Sequence, residues 1–483
     1  MRLDDDLKYF EEPEFKEILA KYEAALEAGS ALYLDADELT DVAEYYAMVV
    51  QDDERANEAI DLALDLHPGA VDPQIFKARQ YMLKGDADKA REMCDAIEDQ
   101  SHREVLFLRA ELLVRDNRSE EATNDLLQAA EQVEEDKDYF LYDSAYIFID
   151  YQQYDWALIF ANDLEAMAPD WYRTWQLQAD IALGMGNNNL AKKYITKMLD
   201  VDPFSIESWN WNAEAYSNLG QYAQAIESTD YSLAIEPDNE RALQLKAWVL
   251  LQQGNTAEAH QIYTRLEEMV PDVESNWLYD SWALLDMGNV AAAEQAAKRA
   301  EELADGMSPD QQAIYEQCAQ VMSRKGDVEA ALQYLEKAKA DGSADEEFDP
   351  RLLPVRVYAE NERIVDALNC LQSEMEKHPE SEMSIYYNGA LILFDYAFYD
   401  EAYSMLKEWM EVGDEKKEDM PYDYLAYTAM EIGMDEEALK YLRKAIDAGA
   451  PHLSELFAEK FPNVKTDELY DYYYYKVYGR WPE

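Results

Sequence analysis

Four prolines stand at a fixed spacing in the middle of this chain. They are Pro169, Pro203, Pro237 and Pro271, and each interval is 34 residues. A fixed period of this size indicates an array of small repeated units, each of which buries its apolar face against its neighbours. The period therefore constrains the fold more than any other feature of the sequence.

One period, residues 205–239, reads SIESWNWNAEAYSNLGQYAQAIESTDYSLAIEPDN. It splits into two segments of helical apolar periodicity on either side of Gly220. Glycine allows the positive φ of a tight turn, and a helix cannot continue through Pro237. Each period is therefore predicted to form a helix, a tight turn and a second, antiparallel helix.

The residues of this period resemble the tetratricopeptide repeat family. That family combines an early aromatic residue, small residues where helices cross and a closing proline. The matching positions are Trp209, Ala213, Tyr216, Gly220, Ala225 and Pro237. The resemblance covers about residues 37–452. It implies an all-α fold, an α-solenoid of about twelve helix-turn-helix repeats that form a right-handed superhelix, with capping helices at both ends.

The register of this period can be carried along the chain. The predicted repeats start near residues 37, 71, 103, 138, 172, 206, 240, 274, 312, 348, 383 and 419. Each second helix has an alanine at one position: Ala56, Ala90, Ala122, Ala157, Ala191, Ala225, Ala259, Ala293, Ala331, Ala367, Ala402 and Ala438. The first helices carry a small position that is nearly as constant: Ala43, Ala78, Ala110, Ala145, Ala179, Ala213, Ala247, Ser281, Ala319, Val355, Ala390 and Ala426. Small residues are expected where helices cross closely, because a longer side chain would overpack the contact.

The spacing of the repeats changes along the chain and suggests four segments. Residues 1–36 are predicted to be an N-terminal capping segment and residues 37–307 to form repeats 1–8. Residues 308–452 are predicted to form repeats 9–12 with looser spacing, because the interval stretches after Ala293. Residues 453–483 are predicted to be tyrosine-rich capping helices.

Charge bears on the class of partner. There are 103 Asp and Glu residues against 42 Lys and Arg, a net charge of −61. Such a surface repels nucleic acid and anionic membranes, so the expected partner is a basic or neutral protein or peptide. Plain solubility would also account for the charge. The chain has no apolar run long enough to span a membrane and only three, widely spaced cysteines, which predicts a cytoplasmic protein.

The sequence contains no recognisable catalytic or metal-binding motif. Its five histidines lack ligand spacing. Gly184 and Gly186 invite comparison with a phosphate-binding loop, but Gly186 falls at a predicted turn after a helix instead of after a strand. We therefore expect no enzymatic activity, no cofactor and no metal.

The concave face of a solenoid is its usual binding surface. The resemblance implies that the first helix of each repeat lines it, through positions two, five, nine and twelve. The candidate binding residues at these positions are Tyr139, Tyr142, Tyr146, Gln176, Asp180, Asn210, Glu214, Gln244, Trp248 and Trp282. Tyr and Trp suit recognition of an extended peptide, and amides can bond its backbone. Trp248 and Trp282 could instead be contacts between neighbouring first helices.

These observations favour an interaction scaffold that binds a protein or peptide in the concave groove. An alternative is a sensor that changes its superhelix on binding a small molecule or signal peptide. The polar stretches that follow residues 304 and 340 would act as its hinges.

Six tyrosines and a tryptophan crowd residues 469–483. At about 100° per residue, one face of a helix there collects Leu469, Tyr470, Tyr473, Tyr474 and Val477, and this face is predicted to cover the twelfth repeat. Tyr472 and Tyr475 point the other way. They are therefore predicted to be a secondary contact with a partner or a second copy.

Overall fold

A computed structural model describes residues 9–28, 34–133, 135–304, 308–339, 349–412 and 420–482. All regular elements in these ranges are helical. Most of the predicted hinge that follows residue 340 and the centre of the one that follows residue 304 lie outside the described residues. The α-helices are numbered α1–α27 below.

The helices that follow α1 form twelve pairs, in which the even-numbered helix is the first (A) and the odd-numbered helix the second (B). Their bounds are α1 Pro13–Ala28; α2 Ala36–Tyr45 and α3 Asp53–Leu66; α4 Val71–Leu83 and α5 Ala87–Ala96; α6 Arg103–Arg115 and α7 Ser119–Gln132; α8 Lys137–Ile149 and α9 Tyr154–Met167; α10 Tyr172–Gly184 and α11 Asn188–Val201; α12 Ile206–Asn218 and α13 Tyr222–Ile235; α14 Glu240–Gln252 and α15 Thr256–Met269; α16 Glu274–Asp286 and α17 Val290–Leu303; α18 Gln311–Lys325 and α19 Val328–Lys339; α20 Leu353–Glu360 and α21 Ile364–Lys377; α22 Glu382–Asp395 and α23 Tyr399–Val412; α24 Tyr422–Glu431 and α25 Asp435–Ala448; then α26 Leu453–Ala458 and α27 Leu469–Tyr478.

The helix pairs confirm the predicted repeat register. Ten of the predicted starts lie within one residue of the first residue of an observed A helix. The other two, near 348 and 419, lie outside the described residues, and their A helices begin at Leu353 and Tyr422. The chain thus has the predicted α-solenoid arrangement of stacked helical pairs.

The chain divides into two compact units, Met1–Ala242 and Leu243–Glu483, here called the first and the second unit. Within each unit the A and B helices of a repeat pack together, and each B helix packs on the A helix of the next repeat. The four segments proposed from sequence spacing stay a prediction.

The recurrent small residues lie at the helix crossings. All twelve alanines of the B helices are at most 1% exposed, and so is the small residue of every A helix except Ala110, at 2%. At such contacts the space left for a side chain is about one methyl group. Burial of this series is the direct reason for the sequence period.

Every A–B turn contains one residue with positive φ. In seven turns it is glycine: Gly85, Gly186, Gly220, Gly254, Gly288, Gly326 and Gly433. In the other five it is Gln51, Asn117, Gln152, Glu362 or Ala397. The left-handed conformation closes the turn through backbone bonds, as in Gln221 N–H to Tyr216 O at 2.9 Å. Side chains with a Cβ adopt this conformation at a cost.

The five turns without glycine predict a stabilising substitution. Ala397 has φ +62°, so Ala397→Gly should raise the free energy of unfolding around α22 and α23 by about 1 kcal/mol. The matched control is Ala223→Gly at an exposed site inside α13, which should lower local stability by about 0.5–1 kcal/mol. Hydrogen exchange of the two helix pairs measures both changes in stability. If both substitutions changed stability in the same direction, strain at the positive φ of Ala397 would not be the explanation.

A hydrogen bond between a tryptophan indole and a proline carbonyl recurs at three of the period prolines. Trp175, Trp209 and Trp277 each lie six residues after a period proline and donate Nε1–H to its carbonyl oxygen, at 2.8, 2.9 and 3.0 Å. Trp209 also stacks on Tyr231 of α13, with ring centroids 4.4 Å apart. Each of these tryptophans therefore ties the start of an A helix to the proline that precedes it.

Both ends of the array are covered as predicted. At the front, Phe15, Ile18 and Tyr22 of α1 join the apolar core of the first repeat. At the back, Leu469 and Tyr473 of α27 are buried in the core of repeats 10–12. The Tyr473 hydroxyl also donates to Asp435 at the start of α25, at 2.6 Å.

Candidate functional site

The candidate binding residues of the first unit lie on three consecutive A helices. Helix α8 carries Tyr139, Tyr142 and Tyr146, α10 carries Gln176 and Asp180, and α12 carries Asn210 and Glu214. Intervals of three and four residues place the side chains of each helix on one face. The repeat period therefore arranges them as successive rows.

Hydrogen bonds join these rows across neighbouring helices. The Tyr142 hydroxyl donates to Gln176 Oε1 at 3.2 Å, and Gln176 Nε2 donates to Glu207 Oε2 at 3.3 Å. Arg241 donates to Glu214 Oε2 at 2.9 Å. These hydrogen-bonded side chains of α8, α10 and α12 are here called the polar ladder.

Asn210 contributes an unused acceptor to this ladder. Its Nδ2 donates to Asn239 Oδ1 at 3.1 Å, whereas its Oδ1 has no hydrogen-bond partner among the described residues. The orientation of both amides follows from the network, because Asn239 Oδ1 also accepts from Ala242 N–H and Asn239 Nδ2 donates to Glu236. Asn210 is only 7% exposed, and its Oδ1 is closed to solvent.

Aromatic rings and an arginine form the other part of the surface. The Arg173 guanidinium lies 5.3 Å from the Tyr139 ring centre and 5.4 Å from that of Tyr142. Trp171 packs edge-on against Tyr139 at 4.9 Å. These cation–π and ring contacts hold Arg173 in place.

Two candidate residues have shifted proton affinities. Burial raises the pKa of Asp180 to about 6, with nearby Glu214 adding to the effect and a hydrogen bond with Tyr146 opposing it. Burial also raises the pKa of Tyr146, so its hydroxyl stays protonated. The Tyr146 hydroxyl therefore acts as a donor at neutral pH.

A cavity of about 440 Å³ lies among the A helices of repeats 1–4, and Tyr146 lines it. Its charged lining consists of Asp37, Asp41, Glu44, Asp72, Arg79, Arg103, Glu104, Glu111, Asp143 and Asp150. Arg79 is paired with Glu104 and Glu111, at 3.3 and 3.1 Å, and Arg103 is paired with Asp143. The cavity therefore keeps a strong excess of negative charge, and this lower-numbered part of the surface was missed from the sequence.

Partial burial and nearby Asp37 raise the pKa of Asp72 in this cavity. No Lys or Arg among the described residues pairs with either carboxylate. The sequence did contain a signal for this region: Asp72, Arg79, Glu104 and Glu111 occupy the same A-helix positions in repeats 2 and 3 that selected the candidates of repeats 4–8.

In the second unit the candidates Trp248 and Trp282 contact each other. Their ring centres are 6.3 Å apart, and Tyr279 lies 5.2 Å from Trp248 and 5.4 Å from Trp282. This is the contact between neighbouring A helices that the sequence left open. Gln244 donates to Asn276 Oδ1 at 3.2 Å. Trp282 also lines a cavity of about 180 Å³.

At the C-terminal end, Tyr472 and Tyr475 are 43% and 46% exposed. Trp481 packs edge-on against Tyr472 at 5.4 Å and stacks on Tyr475 at 4.7 Å. The structure therefore places both tyrosines outside the capping face, in a small aromatic cluster with Trp481. Their role as a contact surface stays a prediction.

Within the part of the chain that the structure describes, no three His, Cys, Asp or Glu side chains are grouped to hold a metal ion. No helix among those residues combines the length and the apolar character needed to cross a bilayer.

Comparison with known proteins gives family matches in the middle of the chain. Residues 172–205 and 219–279 match tetratricopeptide repeat family models. A search of curated protein sequences gives no match.

Solved structures of repeat proteins are also similar. A tetratricopeptide repeat protein from Parabacteroides merdae is 17% identical, with 56% of this chain and 99% of that chain covered and a TM-score of 0.43. The APC/C hetero-tetramer Cut9-Hcn1 is 13% identical over 92% and 94% of the two chains, with a TM-score of 0.37. The type IV pilus biogenesis factor PilW is 18% identical over 44% and 96%, with a TM-score of 0.39. At these values the likeness carries no argument about function.

Proposed function

Because this chain carries tetratricopeptide repeats, we propose that it is a non-catalytic interaction scaffold that binds an extended protein segment along the A helices of its first unit. Proteins of this repeat class are generally interaction scaffolds. The proposed contact surface runs over α8, α10 and α12 and continues into the acidic cavity of repeats 1–4.

The observation that carries the proposal is the acidic cavity of repeats 1–4, in which neither Asp37 nor Asp72 has a Lys or Arg partner among the described residues. The neighbouring Tyr142–Gln176–Glu207 hydrogen bonds order the surface in advance, which reduces the entropy lost on binding. Tyr139 and Tyr142 supply apolar contact area beside these amides.

The charge of the cavity favours a basic segment. Asp37 and Asp72 would be stabilised by a lysine or arginine side chain that enters among them, because opposite charge lowers the cost of two neighbouring carboxylates. Arg79 and Arg103 already serve Glu104, Glu111 and Asp143. The ligand is therefore proposed to bring its own cation.

We expect random-sequence peptides of about a dozen residues, selected on the full chain, to be enriched in Lys and Arg. Asp37→Asn with Asp72→Asn should weaken the selected peptides about tenfold, equivalent to about 1.4 kcal/mol. Gln176→Ala should weaken them too, without changing the salt dependence of binding. Fluorescence anisotropy titrations measure both effects.

The matched control is Asp125→Asn with Asp163→Asn, which removes the same charge at exposed sites on the B helices α7 and α9. This variant should bind the selected peptides like the wild type. Equal losses in both double variants would mean that only the overall charge matters. Unchanged binding by Gln176→Ala would overturn the proposed ladder contact.

The cysteines support a non-catalytic role in a reducing compartment such as the cytoplasm. Among the described residues, Cys94, Cys318 and Cys370 form no disulfide. Burial raises the pKa of Cys318 to about 12 and also raises the pKa of Cys94. Nucleophilic cysteines need the opposite shift, so neither thiol is activated.

A further inference from the structure

Three aromatic side chains at the end of the second unit form an exposed cluster. Tyr472 and Tyr475 lie about one turn apart on α27, and the Trp481 ring contacts both of their rings. The exposed fractions of the three residues are 43%, 46% and 54%. These three residues are here called the Trp481 cluster.

The backbone builds this cluster by reversing after α27. Gly479 has φ +67°, and its N–H donates to the Tyr475 carbonyl oxygen at 2.8 Å. This left-handed cap ends the helix and turns the following residues back towards it. The Trp481 indole then stacks on Tyr475, with ring planes 22° apart, and meets Tyr472 edge-on, at 88°. The three rings are therefore held together by a defined local structure.

The exposed rings are not required to cap the array. Leu469 and Tyr473 of α27 do so, because they are 2% and 3% exposed and belong to the core of repeats 10–12. Neither the two tyrosines of the Trp481 cluster nor Trp481 itself contributes to that core. A contiguous group of large exposed rings that serves no packing role is typical of an interaction surface.

The polar groups of the cluster can all donate a hydrogen bond. The indole N–H of Trp481 can only donate, and the hydroxyl groups of Tyr472 and Tyr475 can donate or accept. None of the three side chains has a hydrogen-bond partner among the described residues, and their contacts are with each other. A matching ligand therefore brings apolar surface and acceptors, and has few N–H groups of its own to satisfy.

A proline-rich segment in the polyproline II conformation has this chemistry. Proline has no backbone N–H, and the carbonyl groups of this helix make no internal hydrogen bonds. Aromatic-lined surfaces recognise such segments, whose preformed backbone loses little entropy on binding. We propose that the Trp481 cluster binds a proline-rich segment of a partner protein. The proline rings would pack on the aromatic rings, and the indole and hydroxyl groups would donate to backbone carbonyl oxygens.

Charge disfavours a second copy of this chain as the occupant. Each copy carries a net charge of −61, so two copies repel each other. The surroundings of the cluster are nearly neutral, because the charged residues between Leu469 and Pro482 are Asp471, Lys476 and Arg480. An uncharged proline-rich segment meets no repulsion there.

This site lies in the second unit and does not depend on the acidic cavity or the polar ladder of the first unit. The proposed function supplies only the expectation that the ligand is a protein segment. The two proposals can therefore fail separately, since one concerns basic peptides and the other uncharged proline-rich peptides.

Fluorescence anisotropy with labelled decaproline tests the proposal on the full chain. A labelled Gly-Ser peptide of the same length is the matched probe, because it is also uncharged but has a flexible backbone. Decaproline should bind saturably and at least about tenfold more tightly than the Gly-Ser peptide. No binding of decaproline, or equal binding of the two peptides, would overturn the proposal.

Trp481→Ala locates the binding site. It removes the ring that contacts both tyrosines and should weaken decaproline binding at least about tenfold. The thermal unfolding of this variant should match that of the wild type, because Trp481 lies outside the core. Phe204→Ala is the control, since Phe204 is an exposed aromatic residue of the first unit, and it should bind like the wild type. Undiminished binding by Trp481→Ala would overturn the assignment.

A second variant tests the donor groups without removing a ring. Tyr472→Phe with Tyr475→Phe should weaken decaproline binding about threefold to tenfold, the range expected for one net hydrogen bond. Unchanged affinity would contradict the donor role of the hydroxyl groups.

Sedimentation velocity addresses the other occupant. The wild type and Trp481→Ala should sediment alike, because the cluster is proposed to bind a different protein. A wild-type dimer that Trp481→Ala dissociates would assign the cluster to a second copy and overturn the proposal.

Discussion

Ala225→Leu is expected to destabilise the sixth repeat by about 3 kcal/mol. Ala225 is fully buried on α13, at the position where this helix crosses its neighbours. Leucine adds three carbon atoms to a contact that has room for one methyl group, and overpacking of this kind costs about 1–3 kcal/mol. We expect the upper end because the helix backbones on both sides cannot shift without moving further repeats.

The same substitution at Ala223 provides the control. Ala223 lies two residues earlier on the same helix and is exposed, so Ala223→Leu should change stability by at most about 0.5 kcal/mol. Hydrogen exchange of α12 and α13 measures the two variants locally, which is needed because a repeat array does not unfold in one step. Similar effects of the two variants would show that the crossing is not tightly packed.

Asp180→Asn is expected to stabilise the first unit at neutral pH by up to about 3 kcal/mol. The pKa of Asp180 is raised from its ordinary 3.8 to about 6, first because of burial. One pKa unit corresponds to about 1.4 kcal/mol. The neutral amide of asparagine keeps a hydrogen-bonding oxygen for Tyr146 without the cost of a buried charge.

The sign of the pH dependence follows from the raised pKa. The folded protein binds the Asp180 proton more tightly than the unfolded chain does, so this residue lowers stability as pH rises from about 4 to about 6. The difference between Asp180→Asn and wild type should therefore grow over that range and stay constant above it. Urea unfolding at several pH values measures it.

Asp163→Asn on α9 is the control for this prediction, because Asp163 is exposed. Its difference from the wild type should stay small at every pH. A wild-type–variant difference for Asp180 that does not change between pH 4 and pH 6 would contradict the assignment. If Asp180→Asn gains stability but loses affinity for basic peptides, the carboxylate is retained for binding at a cost in stability.

The fold was accessible from the sequence because its determinants are local and repeated. The alanines at the crossings, the turn at Gly220 and the prolines at 34-residue spacing each recur, so every repeat supports the assignment of the others. The face of α27 was also readable, since helical geometry alone separates Tyr473 from Tyr472 and Tyr475.

The candidate site was accessible only in part. The A-helix positions identified Tyr142, Gln176 and Asn210, and the structure joins Tyr142 to Gln176 in one ladder. The same positions left open whether Trp248 packs against Trp282, because that depends on the size and rotamer of both side chains. The acidic cavity and the cavity at Trp282 also escaped, since each is a space between helices from several repeats.

The sequence by itself thus determined the helices, their pairing and the faces that they bury, because these depend on period and residue size. Only the tertiary structure decided which polar atoms remain unpaired. Asn210 Oδ1 and Gln317 Oε1 have no donor among the described residues, because Asn239 and Ser281 from neighbouring repeats present acceptors and fix the orientation of each amide. Which donors and acceptors lie near an amide depends on its neighbours in three dimensions, and the residue types alone do not specify them.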